Sequence, residues 1–119
     1  MESRIEILRE YINTRIHSIN DFFEQRGYYQ HLYGVSNFCA LIALKRNQNA
    51  ELATIAGMLH DIYTYKSKNS NDHAKNGALL AKEILDELNI TNGEETNLIC
   101  TAISKHSEKK IYIQSLLKY

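Results

Sequence analysis

Apolar positions recur along this chain at the i, i+3, i+4, i+7 spacing of one helix face, in five successive stretches. The first row is Ile5, Leu8, Ile12, Ile16, Ile19 and Phe23, which predicts a helix over about residues 2–25 that stops before Gly27. A second helix is expected over about 30–46, with His31, Val35, Phe38 and Ile42 on one line. After the break at Asn47–Asn49 a third covers about 50–63, its small residues Ala53, Ala56 and Gly57 leading to His60. The polar, basic stretch Lys66-Ser67-Lys68-Asn69-Ser70-Asn71-Asp72 reads as a loop. A fourth helix, about 73–89, carries His73, Gly77, Leu80, Ala81 and Ile84 and stops at Asn89. The fifth starts near Gly93, with Glu94 and Glu95 in its first turn where the helix dipole favours acids, and aligns Ile99, Ala102 and Ile103 with His106. The tail from Ile111 to Tyr119 has room for a short sixth. Proline is absent and glycine scarce. The expectation is an all-α protein: one compact five- to six-helix domain over 1–119.

The pair His60-Asp61 stands where the least charged helix ends, since Leu52 to His60 carries no formal charge. Placing an imidazole and a carboxylate side by side in an apolar setting is costly unless a partner compensates both. A divalent cation does so, because each group can give it a lone pair. His31 falls near the start of its helix, His60 near the end of the next, His73 near a start and His106 near an end. Short connections favour antiparallel neighbours, which gathers all four imidazoles at one end of the bundle. Taken singly, a histidine at a helix end reads as a cap or a partly buried packing residue. Four at one end, beside Asp61, read as a cation site. His17 lies off the apolar row of the first helix and is expected at the surface. Ala53, Ala56 and Gly57 let neighbouring backbones approach, which shortens the reach from several helices to one point.

Composition sets the outer limits. With 119 residues, 44% hydrophobic and 24% charged, the chain has the make-up of one globular domain. A formal net charge of zero argues against a dedicated nucleic-acid or anionic-membrane surface. No apolar run approaches the ~20 residues of a membrane span, and the charged start MESRIEILRE is unlike a secretion signal. Cys39 and Cys100 fall among apolar neighbours and read as core thiols in a reducing cytoplasm.

The ordered set of His31, MLHD at 58–61, HxxxGA from His73 to Ala78 and AIxxH from Ala102 to His106 resembles the HD-domain superfamily of metal-dependent phosphohydrolases. It looks most like small bacterial members with little beyond the helical core, over about residues 28–108. The resemblance implies that His31, His60 and Asp61 hold a divalent metal together with a later aspartate. It also implies that His73 and His106 match the extra histidines of two-metal members. The chain departs from that pattern after His106, for it has no Asp beyond Asp86 and only Glu108 as an acid in HSEKKIYIQSLLKY.

Phosphoester hydrolysis at neutral pH needs a hydroxide-like nucleophile and neutralisation of the phosphoryl oxygens, and a divalent ion provides both. Mixed imidazole and carboxylate ligands suit Mn, Fe, Co, Ni or Zn, with Mg preferring an oxygen-richer shell. Asp61 is placed both as ligand and as the group that orients the attacking water. Lys66 and Lys68 are candidates for substrate phosphate, against the simpler reading of solvated loop charges. The first hypothesis is a hydrolase of a small phosphorylated substrate, a phosphomonoester or nucleotide. The alternative is a non-catalytic nucleotide- or metal-binding regulatory module that lacks the last aspartate. Ile111, Ile113, Leu116 and Leu117 have two uses open to them, capping the core or forming a homodimer contact.

Overall fold

The computed structural model describes residues 3–60 and 73–105, and the side chains of these except at 73 and 74. Five helices and no strand are found among the described residues: α1 (Arg4–His17), α2 (Phe22–Lys45), α3 (Ala50–Leu59), α4 (His73–Leu88) and α5 (Gly93–Ser104). The all-α expectation holds. Leu8, Ile12 and Ile16 of α1, Leu32, Cys39 and Ala43 of α2, most of α3, Ala81, Ile84 and Leu85 of α4, and Ile99, Ala102 and Ile103 of α5 form one core. The central element is α3, which packs against α1, α2 and α5, while α4 packs on α5.

Two asparagines at each tight corner set the connections. Asn47 adopts a left-handed φ of 57° just beyond α2. Its N–H donates to Leu44 O at 3.1 Å and that of Gln48 to Ala43 O at 2.7 Å, which satisfies the last carbonyls of α2. Two residues on, the Asn49 side chain accepts from Leu52 N–H at 3.0 Å and starts α3. Asn89 ends α4 with a φ of 54°. Asn92 then opens α5 through a capping box with Glu95.

The expected first helix over 2–25 is corrected. α1 ends at His17, and Asp21 restarts the chain by accepting from Phe23 N–H at 2.9 Å. Buried Gln25 seals the corner, its amide donating to the carbonyls of His17 and Ile19. Gly27 does not stop a helix: it lies inside α2 without a positive φ. Phe23, placed on the buried row of the first helix, lies in the first turn of α2 instead and is 80% exposed. The buried row of α2 is Leu32, Ser36, Cys39 and Ala43, one position beyond the expected line, so His31 and Phe38 are exposed while Val35 and Ile42 pack at the core's edge. His17 is exposed, as expected. Neither cysteine is in a disulfide; Cys39 is buried and Cys100 half-buried, with burial pushing the Cys100 thiol up.

Arg4 ties three helix starts together. Its guanidinium donates to both carboxylate oxygens of Glu95 at 2.9 and 3.0 Å, to Glu51 at 2.6 Å and to Ile90 O at 3.1 Å. Glu95 is thus more than a helix-start signal. The Arg4 hydrogen bonds, with that from Asn92 N–H, hold its carboxyl below the ordinary carboxylate value of 4.5. A depressed carboxyl contributes stability that is fully present above its unfolded value and is lost as pH falls through its lower folded value. Arg4→Met is therefore expected to cost about 1 kcal/mol near neutral pH. In urea titrations against pH, its deficit should shrink as pH falls below the ordinary carboxylate value of 4.5 and through the lower folded value of Glu95.

Candidate metal centre

The latch at Arg4 also fixes direction. Glu51 and Glu95 stand in the first turns of α3 and α5, and Arg4 opens α1, so these three helices start at one end and run parallel. The four-residue corners after α2 and α4 turn those two helices the other way. Contact between Gly57 and Ser36, and between His60 and His31, follows the antiparallel pairing of α2 with α3. The opposite end of the bundle accordingly holds the C-termini of α3 and α5 and the first residue of α4, His73.

Two predicted ligands meet there. The rings of His31 and His60 lie 5.2 Å apart, centroid to centroid, tilted by 48°. His60 is 1% exposed, whereas His31 is exposed. The Nδ1 of His60 lies 2.7 Å from the carbonyl oxygen of Gly57. A carbonyl only accepts, so Nδ1 carries the hydrogen, and in the neutral ring Nε2 carries the lone pair. A backbone carbonyl that fixes the tautomer in this way is the usual outer support of a metal-ligating histidine. The donor chemistry of this pair fits a divalent ion of the later first transition series.

Small residues bring the rings within reach. A Cβ on Gly57 would lie 2.6 Å from Ser36 Cα, so the two backbones touch with no side chain between them. Gly57 has the expected role against α2, and Ala53 and Ala56 are buried in the core. Ser36 is the counterpart that the sequence reading missed; its only signal is a small polar residue on the line of Leu32 and Cys39. The field of the backbone agrees with a cation at this end, since the C-termini of α3 and α5 bring partial negative charge there. The N-terminus of α4 brings partial positive charge, which suits an anionic group beside the ion.

The remaining predicted residues are not all in view. Asp61, Lys66, Lys68 and His106 lie outside the described residues, as do Ile111, Ile113, Leu116 and Leu117. His73 is described as the start of α4, without its side chain. Among the described residues no three His, Cys, Asp or Glu side chains gather as a metal-holding group. None of the helices described is long and apolar enough to cross a membrane.

Comparison with known proteins agrees with the all-α fold. The family model described as HD domain matches residues 28–118, about three quarters of the chain. No curated protein and no solved structure matches it. The matched segment begins within α2 and takes in His31, His60-Asp61, His73 and His106.

Proposed function

Because this chain belongs to the HD domain family, which includes metal-dependent phosphohydrolases and whose members typically bind divalent metals, we propose that it hydrolyses a small phosphorylated substrate, a phosphomonoester or nucleotide. The observation that carries this reading is the meeting of His31 and His60, with the His60 tautomer set by Gly57 O. His31, His60 and Asp61 would hold the ion. His73, the first residue of α4, and His106, which follows α5 in sequence, would hold a second ion or the leaving phosphate. The bound metal supplies an acidified water and neutralises charge on the phosphoryl group. Asp61 orients the attacking water, and the α4 N-terminus with Lys66 and Lys68 attracts the phosphate oxygens.

Asp61→Ala is the direct test. Hydrolysis of a generic phosphoester such as p-nitrophenyl phosphate, and of nucleoside monophosphates, should fall at least ~100-fold in the variant under Mn, Co, Ni, Zn or Mg. Metal content, measured by elemental analysis, should fall with it. Equal rates and equal metal in both proteins would remove the proposal. The absence of any Asp beyond Asp86 favours one second reading, a regulatory module that binds nucleotide without turnover. A saturable thermal shift with nucleotide, and no product under any of these ions, selects it.

A further inference from the structure

The face of α2 turned away from the core carries large apolar side chains that no described helix covers. Phe23, Phe38, Leu41 and Leu44 are 80%, 58%, 65% and 65% exposed. With Gly27, Gln30 and Gly34 they form a line along the helix, opposite the buried row of Gln25, Leu32, Ser36, Cys39 and Ala43. A Cβ at Gly27 or Gly34 would meet no described atom within 4 Å, so the helix surface is hollow at both positions. Large residues fill the C-terminal half of the line and hollows punctuate the rest.

We propose that this face is a two-fold interface, in which two copies of the chain pair through antiparallel α2 helices crossing at Gly34. The pattern is complementary to itself about that point. Turning the helix end for end about Gly34 places Leu41 over the Gly27 hollow of the second copy, Phe38 beside its Gln30 and Leu44 beside its Phe23. Gly34 faces Gly34, where the absence of side chains permits close contact. Charge supports the antiparallel sense. Glu24 in the first turn of α2 comes beside Lys45 in the last turn of the second copy, once at each end, and a parallel pairing would set like charges together. The opposed helix dipoles act in the same direction. Along 24 residues, roughly 36 Å, the helix is long enough to supply the core of a small interface, on the order of the lower size class. His31 stands beside the line, so the second helix also forms a wall next to the histidine pair.

Sedimentation velocity over a wide concentration range, with the full chain, tests the proposal. A reversible dimer is expected, weakened roughly a hundredfold by Leu41→Glu, which places two charges in the contact. Glu24→Lys and Lys45→Glu should each weaken it, and the double variant should recover it, a rescue that a folding defect does not produce. Gly34→Cys should give a disulfide-linked dimer under mild oxidation, because the two-fold axis passes between the two cysteines. A chain that stays monomeric at its highest soluble concentration overturns the proposal, as it would if residues 106–119 cover this face instead. So does a dimer that is indifferent to Leu41→Glu and to the charge exchange, with no crosslink at residue 34.

Discussion

Gly57→Ala is expected to lower the stability of this protein by about 2 kcal/mol, although alanine is the better helix former. The added methyl would stand 2.6 Å from Ser36 Cα, 3.1 Å from Ser36 N and 3.3 Å from Ser36 Cβ. Two of those atoms are backbone and cannot rotate aside. Carbon atoms settle near 3.5–4 Å, so α2 and α3 must separate by about 1 Å to admit the group. That separation loosens the contacts of Leu32, Cys39, Ala53 and Ala56 at once, since all lie in the same core. Overpacking of this kind costs about 1–3 kcal/mol or more, against a gain of ~1 kcal/mol from helix propensity. Gly57→Val should cost more still. Ser36→Gly would rescue little, because it removes only Cβ and leaves Cα and N in place. Gly27→Ala is the control, measured at a dilution where the chain is a monomer: within one copy it has open space around it, and it should be neutral or stabilising by about 0.5–1 kcal/mol. Urea midpoints for the four variants, at unchanged m-value, check the series. Equal effects at 27 and 57 would mean that the close approach is not what selects glycine.

The same glycines mark what could and could not be read from the sequence. Gly27 looks like a stop signal, yet a glycine inside a helix costs only ~1 kcal/mol, less than the Asp21 cap and the burial of Leu32 return. The stronger signal at that corner was Asp21 followed by Glu24, an N-cap pattern hidden inside an apparently continuous apolar row. Asn47 and Asn49, by contrast, were legible because both act locally: one tolerates the left-handed backbone, the other caps through its side chain. The buried face of α2 was displaced by one position for a physical reason. On a helix with Phe38, Leu41 and Leu44 outside and Ser36 inside, hydrophobicity does not mark the side that packs. The close approach at Gly57 selects a small residue opposite it, and that need outweighs the apolar count.

For the candidate site, parity was the legible part. Alternation of direction from one helix to the next decides which ends share a pole, and the Arg4 bonds to Glu51 and Glu95 bear that alternation out for α1, α3 and α5. The contact of His31 with His60 follows from it. The exposure of His31 does not, since it depends on the face of α2 and not on its direction. Nor does the sequence specify the His60 tautomer. The 2.7 Å contact of Nδ1 with Gly57 O depends on the rotamer of the ring, which the spacing of glycine and histidine does not set.

That contact separates two functions of one ring, and substitutions at His60 can take them apart. His60→Ala should remove both, with divalent-metal affinity down at least about a hundredfold and stability down about 2–3 kcal/mol, because a buried ring is lost and Gly57 O keeps no Nδ1 donor. His60→Asn should keep a donor near the Nδ1 position, so the hydrogen bond to Gly57 O and much of the stability remain, while the lone pair at Nε2 is gone. His60→Gln carries its amide farther out, near the Nε2 position, where its oxygen is a weak ligand, and it gives up the bond to Gly57. The expected order is thus His60→Asn above His60→Gln in apo stability, and the reverse in residual metal affinity. Thermal unfolding with and without Mn or Ni gives both quantities from one experiment, since an ion that binds only the folded state raises the midpoint by an amount set by its concentration over its dissociation constant. A wild-type midpoint that no divalent ion moves would break the link between this ring and a metal. A metal shift that survives in His60→Ala would place the ion on other residues, and leave His60 a structural role that includes the Gly57 bond.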